Sequence, residues 1–456
     1  MAGVMEFLKK KRLGMQYGYE TYFKPQDKQP VGRVGVVFAH MGVPEEYDFA
    51  FYNTYMTHLF KSILPGFVAG MVLADKGTVL SDPENPVPRE PFTPRTLMNA
   101  RGETINRQGV PYVECEVKWV PPRKPDNPWD NGYFLYTGDG KFGAPSIAQK
   151  AGCKVVSWYY HSLLTPSGKC SYDYQVRRVY EDVEAEIRSH YDPERVLCRL
   201  APFVYRDRLA GAIEDLLAQG CDTIVYCSFS NPVFSDFEEY HSSMPFVHQT
   251  VDGRAKVIFT DQCGTSRHLQ EVRYLMLQDQ LDQLPEDASV FVILSRHGHP
   301  FKKETMDWRG AFCRKPLEEG LIGLMEARDG RWDFCWSNDE FTEGIRFETR
   351  QAYLRAIDEG YDYAIEIPTD FLFENTDLMI HHARKKFTAF SEYSQYDPVD
   401  YPDWDQPLVR TFREKNTTGI YLGVPVGDRY RPYVVRAVVD SVRAVLDYRE
   451  RHQIGH

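Results

Sequence analysis

The feature that most constrains this chain is a recurring unit: a short, continuous apolar run, a loop bearing Gly or Pro, and then a longer amphipathic stretch. The first run is Val34-Gly35-Val36-Val37-Phe38-Ala39, which stops at His40-Met41-Gly42-Val43-Pro44. Apolar runs without polar alternation suit parallel strands buried on both faces. Lys154 to Tyr160, Val196 to Val204, Asp222 to Ser228, Lys256 to Thr260, Ser289 to Leu294 and Tyr363 to Ile367 read the same way. Helical periodicity falls between them, over Tyr47 to Ile63, Arg206 to Gln219, Ser266 to Leu284, Phe347 to Glu359 and Glu374 to Lys386. Strand–helix alternation predicts parallel sheets with right-handed crossovers, and in open sheets of that kind ligands bind beyond the carboxyl ends of the strands.

The run at Val34 and the run at Val290 end alike, in Ala39-His40-Met41-Gly42-Val43-Pro44 and in Arg296-His297-Gly298-His299-Pro300. This weak internal repeat predicts two similar α/β halves facing a common cleft. The expected division is an extension over 1–32, a first half over 33–250, a second half over 251–395, and a tail with a packing helix over 396–456. Residues 76–147 are dense in Pro, Gly, Asn and Asp and form an irregular insertion in the first half, too long to be a plain connection. A terminal helix over Pro432 to Arg451 carries Val434, Val435, Val438, Val442 and Val445 along one side and is expected to pack across the halves.

Composition narrows the partners. The 54 Lys and Arg stand against 65 Asp and Glu, a net charge of −11, which disfavours nucleic acid and anionic lipid. The longest membrane-like run, Leu64 to Ala74, is far shorter than a bilayer span, so no integral membrane segment is expected. The nine cysteines are scattered without a C-x-x-C pair, the pattern of reduced thiols in a cytoplasmic protein. Thr137-Gly138-Asp139-Gly140-Lys141 lacks the full spacing of a phosphate-binding loop, so no nucleotide is expected. Aromatic residues make up 14% of the chain, enough to fill a large core or to line a cleft for a flat organic ligand.

Chemistry-bearing residues gather after the apolar runs. His297 follows Val290-Phe291-Val292-Ile293-Leu294 in a tight loop, where an imidazole can ligate a metal or take a proton near neutral pH. Glu374, Asp377 and His381 are spaced i, i+3, i+7, which on a helix aligns two carboxylates and an imidazole. The alternative is an ordinary acidic first turn favoured by the helix dipole. His40 sits like His297 and could add a ligand from the opposite wall. Trp332, Phe334 and Trp336 either line a flat pocket or pack.

These residues resemble those of the ferrochelatase superfamily, the class II chelatases that insert a divalent metal into a tetrapyrrole without ATP. Val36 to Glu45 resembles the family's opening strand and Gly-x-Pro-Glu loop. Tyr226 to Ser235 is similar to its strand ending in Pro-x-aromatic-Ser. Leu294-Ser295-Arg296-His297-Gly298-His299-Pro300 resembles its Ser-x-His-x-x-Pro motif, and Ile367 to Asp377 its Pro-x-x-Phe-x-Ser-Asp-His-x-Glu segment. The resemblance implies two doubly wound, flavodoxin-like halves, with His297 and Asp377 as catalytic residues and His297, Glu374 and Asp377 as metal-contacting, to which the spacing adds His381. His40, Met41, Phe234, Ser235 and His299 are the substrate-binding candidates from the motif segments, and Trp336 is the one from the aromatic patch. The substrate would be a tetrapyrrole or other flat macrocycle, and the metal iron first, with cobalt and nickel as alternatives. The chain departs from the family at Asp377, where the family has Glu, at Asn375, where it has His, and at Phe373, where it has Ser. No C-terminal cysteine cluster is present, so no iron–sulfur centre is expected.

Two other readings stay open. Arg296-His297-Gly298 also resembles the signature of histidine phosphatases, in which His297 would carry a phosphoryl group held by Arg296. A second downstream Arg–His pair is lacking, and that signature normally follows the first strand of its domain. Alternatively the chain is a tetrapyrrole- or metal-binding carrier without turnover. Assembly into a homo-oligomer is open in each case.

Overall fold

The computed structural model describes residues 29–48, 51–52, 55, 117–120, 133–136, 160, 164–228, 243–260, 263, 266–296, 308–338, 347–383, 387, 389–393 and 398–453. The described strands are β1 (Val34–His40), β2 (Val117–Val120), β3 (Tyr133–Tyr136), β4 (Val196–Pro202), β5 (Thr223–Ser228) and β6 (Lys256–Phe259), then β7 (Val290–Arg296), β8 (Trp332–Asn338), β9 (Phe347–Glu348), β10 (Tyr363–Pro368), β11 (Val409–Glu414) and β12 (Thr417–Leu422). The α-helices are α1 (Tyr172–His190), α2 (Arg206–Ala218), α3 (Met244–Val251), α4 (Arg267–Leu281), α5 (Trp308–Glu326), α6 (Thr349–Asp358) and α7 (Arg431–Gln453).

Two separate sheets carry the fold. The first is parallel, in the order β4-β1-β5-β6. The second runs β11-β12-β10-β7-β8-β9, parallel except for β11, which pairs antiparallel with β12. Numbered within each half, β4-β1-β5-β6 is the order 2-1-3-4, and β8-β7-β10-β12 repeats it with β9 and β11 added at the edges. This is the flavodoxin-like doubly wound order, and the repeat hinted at by the two His-bearing loops is a repeat of topology.

Both sheets are covered on both faces. On β1, Gly35 lies under Leu216 of α2, so close that a Cβ would sit 2.8 Å from a Leu216 methyl. Phe38 points the other way and meets Tyr180 of α1. In the second sheet Val290, Val292, Leu294, Ile365 and Ile367 pack with Leu277 and Leu281 of α4 and with Leu317, Leu321 and Met325 of α5. The opposite face, with Phe291, Ile293 and Ala364, joins Tyr353 and Ala356 of α6 and is continuous with the core of the first half. Helix α7 bridges the halves, packing on both α1 and α4. Val434, Val438 and Val442 on its inner side are wholly buried.

Several expectations change. The helix predicted over Glu374–Lys386 starts later, at Thr376, and passes into a π-helical turn, Leu378–His382, closed by the Ala383 amide on the Leu378 carbonyl at 2.9 Å. Glu374 therefore precedes the helix and does not share a helical face with Asp377. The predicted helix from Phe347 begins as the short strand β9, which pairs with β8 before α6 starts at Thr349. The aromatic segment Trp332–Trp336 is strand β8, with its three large rings against the α4–α5 side. Part of the segment read as a tail is the β11–β12 hairpin, which completes the second sheet. Within 76–147 the described residues form an antiparallel ribbon, β2 with β3, and the rest of that insertion lies outside the described residues. So do the predicted strand over Lys154–Tyr160, apart from Tyr160, and most of the predicted helix over Tyr47–Ile63.

Candidate functional site

The order 2-1-3-4 places a topological switch point beside the first strand of each half, the position at which such sheets bind ligands. In the first half this is the carboxyl edge of β1 and β5, ending at His40 and Ser228. In the second it is the edge of β7 and β10, ending at Arg296 and Pro368. All four motif segments span these strand ends. His297 is the residue after β7, and His297, His299, Phe234 and Ser235 lie outside the described residues, as does the side chain of His381.

The loop after β10 reaches the loop after β1. Tyr52 hydrogen-bonds Thr376 and also Tyr160, at 2.9 Å, and the Tyr160 hydroxyl donates to the Pro44 carbonyl at 2.6 Å. The first turn of α1 fills the space between. The Met41 amide donates to the Tyr172 hydroxyl at 3.0 Å, and Tyr172 meets Phe373 edge-on. The Glu374 amide donates to Gln175 Oε1 at 2.9 Å, and Gln175 Nε2 donates to the Tyr401 hydroxyl at 2.8 Å.

Glu374 is wholly buried. Its Oε1 accepts from the Val424 amide at 3.1 Å and its Oε2 from the Tyr421 hydroxyl at 3.3 Å. Gly423 leaves room for this carboxyl, since a Cβ there would stand 2.3 Å from Oε1. Desolvation raises the Glu374 pKa to about 7, against the two hydrogen bonds and the nearby His382, which lower it. A carboxyl so placed exchanges a proton near neutrality. Asp377 is only half-buried, at the start of the π-helical turn, and its charge is felt by Tyr52 and Cys170. The segment thus separates an inward, proton-holding carboxyl from an outer one.

His40 is buried and stacks on Tyr172 with ring centroids 6.0 Å apart. Burial depresses its pKa to about 3, against the pull of Asp173, so the imidazole is neutral over the physiological range. Met41 is half-buried beside it. Trp336 is committed elsewhere: its indole donates to Glu318 Oε1 on α5 at 2.5 Å, and its ring belongs to the sheet–helix packing.

The sequence reading passed over a buried cluster behind Glu374. His382 Nδ1 lies 2.5 Å from Glu366 Oε1, and the Tyr353 hydroxyl donates to Glu366 Oε2 at 2.9 Å, all three side chains being buried. The signal for Glu366 was present, because a carboxylate inside the apolar run Tyr363–Pro368 demands a buried partner. No spacing rule identified that partner as His382. Among the described residues, no three His, Cys, Asp or Glu side chains group as a metal site. No described helix is long and apolar enough to cross a membrane.

No protein-family model matches the chain and no curated protein matches its sequence. Among solved structures, it is similar to SirB from Bacillus subtilis, determined with Fe3+, at a TM-score of 0.39 and 12% identity over 60% of this chain and 90% of that one. It is also similar to LsrB from Clostridium saccharobutylicum in complex with AI-2, at a TM-score of 0.22 and 11% identity over 42% of this chain and 59% of that one. An ABC transporter solute binding protein from Clostridium phytofermentas with bound L-rhamnose gives a TM-score of 0.23 and 11% identity over 60% of this chain and 77% of that one. At these values the likenesses carry no inference about activity.

Proposed function

We propose that this protein is a divergent ferrochelatase-like enzyme that inserts a divalent metal into a tetrapyrrole or similar flat macrocycle, or removes it. The observation that carries the reading is positional. The four segments that resemble chelatase motifs span the carboxyl ends of β1, β5, β7 and β10, the strands that flank the two switch points of a duplicated 2-1-3-4 sheet. Unrelated apolar runs would have no reason to place their motifs in equivalent slots.

Metal insertion requires two pyrrole protons to leave and the metal to shed water, so a site needs a base and a ligand facing the ring. In this reading His297 is that base or ligand and Asp377 is the outer acidic partner. Glu374, held by Val424 and Tyr421 with a pKa near neutrality, receives protons rather than metal. Iron is the first candidate substrate metal, with cobalt and nickel as alternatives. His40 and Met41 form the facing wall. The first half extends through β6 to about residue 260, past the boundary expected at 250, and the second extends through β12 to about residue 430.

The test is an absorption titration with free and metallated porphyrins. A shifted Soret band supports the reading, and an unchanged spectrum at saturating porphyrin overturns it. In a protein that turns over, His297→Ala lowers metal insertion by about 10²–10⁴-fold. Binding without turnover in the wild type identifies the carrier instead.

One observation favours the phosphatase reading. Strand β7 opens the second sheet, so Arg296-His297-Gly298 does follow the first strand of its half. Hydrolysis of a generic aryl phosphate, with a phosphohistidine at 297 seen by intact mass, establishes that reading over the chelatase.

A further inference from the structure

Helix α4 links the halves, leaving β6 of the first sheet and leading into β7 of the second. It carries Arg273, whose side chain is buried at 4% exposure. A buried guanidinium is costly unless its donors are engaged, and its planar fork then points each donor in a set direction. One terminal nitrogen of Arg273 donates to the Thr369 carbonyl, and the other to Gln270 Oε1 at 3.3 Å.

Thr369 is the residue just past β10, and it continues the register in which Tyr363 donates to the Ser289 carbonyl of the chain entering β7. The Thr369 amide and hydroxyl both donate to the Ser295 carbonyl, at 2.7 and 2.9 Å. The Ser295 hydroxyl returns a bond to the Ile367 carbonyl at 3.3 Å. Beyond Ser295 the chain runs to Arg296 and His297, and beyond Thr369 it runs to Glu374 and Asp377. The ends of β7 and β10 therefore meet at Thr369, and Arg273 holds that point from α4, the helix that links the two halves.

We propose that Arg273 is a positioning residue that, through Thr369 and Ser295, sets the end of β7 at Arg296 relative to the Glu374–Asp377 segment. Its consequence for turnover rests on the chelatase reading. The coupling of the two strand ends does not.

The coupling is tested by hydrogen exchange with mass spectrometry on the full chain. In Arg273→Ala, peptides covering 290–296 and 368–377 exchange about tenfold faster or more, the loss of a hydrogen bond to a charged donor, while peptides of β1 and α7 keep their protection. Added guanidinium restores protection, and Arg273→Lys, which lacks the fork, does not. Thr369→Val, which keeps the shape and loses the hydroxyl, accelerates the same two peptides to a smaller degree and serves if Arg273→Ala does not fold. Acceleration in only one of the two peptides, in neither, or evenly across the chain overturns the proposal. For turnover, Arg273→Ala leaves porphyrin affinity within about twofold and lowers kcat by about 10²-fold. An equal loss of affinity and kcat overturns the positioning role. A wild-type chain without porphyrin binding refutes the chelatase reading, and the exchange measurement still decides the coupling.

Discussion

At the level of single residues, the carboxyl of Glu374 is the most informative group. The unfolded chain releases its proton near the ordinary value of 4.5, whereas the folded chain holds it to about 7. Between those values the folded state binds the extra proton, so this group's contribution to stability falls as pH rises from 4.5 to 7 and is flat above. Glu374→Gln removes that dependence. The amide oxygen can still accept from Val424, and the Tyr421 hydroxyl can rotate to accept from the amide nitrogen. We expect urea midpoints at pH 8 to rise in Glu374→Gln, by up to about 3 kcal/mol in unfolding free energy. A lower midpoint at that pH would show that the charge is stabilising. His40 acts with the opposite sign. Its folded pKa of about 3 lies below the unfolded 6.5, so its contribution is present above pH 6.5 and is lost as pH falls toward 3. Gly423 supplies the steric counterpart. Gly423→Ala brings a methyl to 2.3 Å from Glu374 Oε1 and 2.8 Å from the Leu408 backbone, and a destabilisation of about 1–3 kcal/mol is expected. Wild-type thermal stability in that variant would show that the cradle has slack.

At the level of elements, the strands were legible because a strand buried on both faces must be apolar throughout. Val34–Ala39, Lys256–Thr260 and Tyr363–Ile367 were placed within a residue of β1, β6 and β10 at each end. Helix α1 was not recognised, since Tyr172, Asp173, Tyr174 and Gln175 open it with polar and aromatic residues that serve the space between the halves. The π-helical turn was hidden for a related reason. Its register is set by where His382 must sit to meet Glu366, and that contact bridges 16 positions. Helix α7 was legible from its valine stripe. Val438 is wholly buried in that stripe, and Val438→Asp would place an unpaired carboxylate between α7 and its neighbours. We expect that variant to be recovered largely insoluble. Full solubility with a native denaturation profile would mean that α7 is dispensable.

At the level of the whole molecule, the two sheets are one folding problem. The main core runs from Val34 and Phe38 of the first sheet through Val438 and Val442 of α7 to Phe291 and Tyr353 of the second half. Asp279 of α4 accepts from Nε and one terminal nitrogen of Arg429, at 2.5 and 2.6 Å, and from the Tyr430 hydroxyl at 2.6 Å, which fixes the entry to α7. His268 of α4 lies between Glu271 and Asp440 of α7. A continuous core predicts a single calorimetric transition for both halves, and two transitions separated by more than about 10 °C would contradict it. Cleavage before Arg431 should abolish that transition in both halves, because α7 covers faces of α1 and α4 together.

The sequence by itself determined the strand-and-helix alternation, the parallel α/β class and the strand ends at which chemistry-bearing residues gather, because these depend on apolar periodicity and on turn chemistry within a few residues. It also carried the repeat, in two His-Gly-Pro loops. Only the tertiary structure decided that Glu374 turns inward onto Val424 and Tyr421, that Glu366 pairs with His382, that Trp336 packs on α5, and that Arg273 reaches Thr369. Each of these pairings spans between 16 and 96 positions of chain. A buried polar group must find a partner, but nothing local in the sequence states which partner the folded chain brings to it.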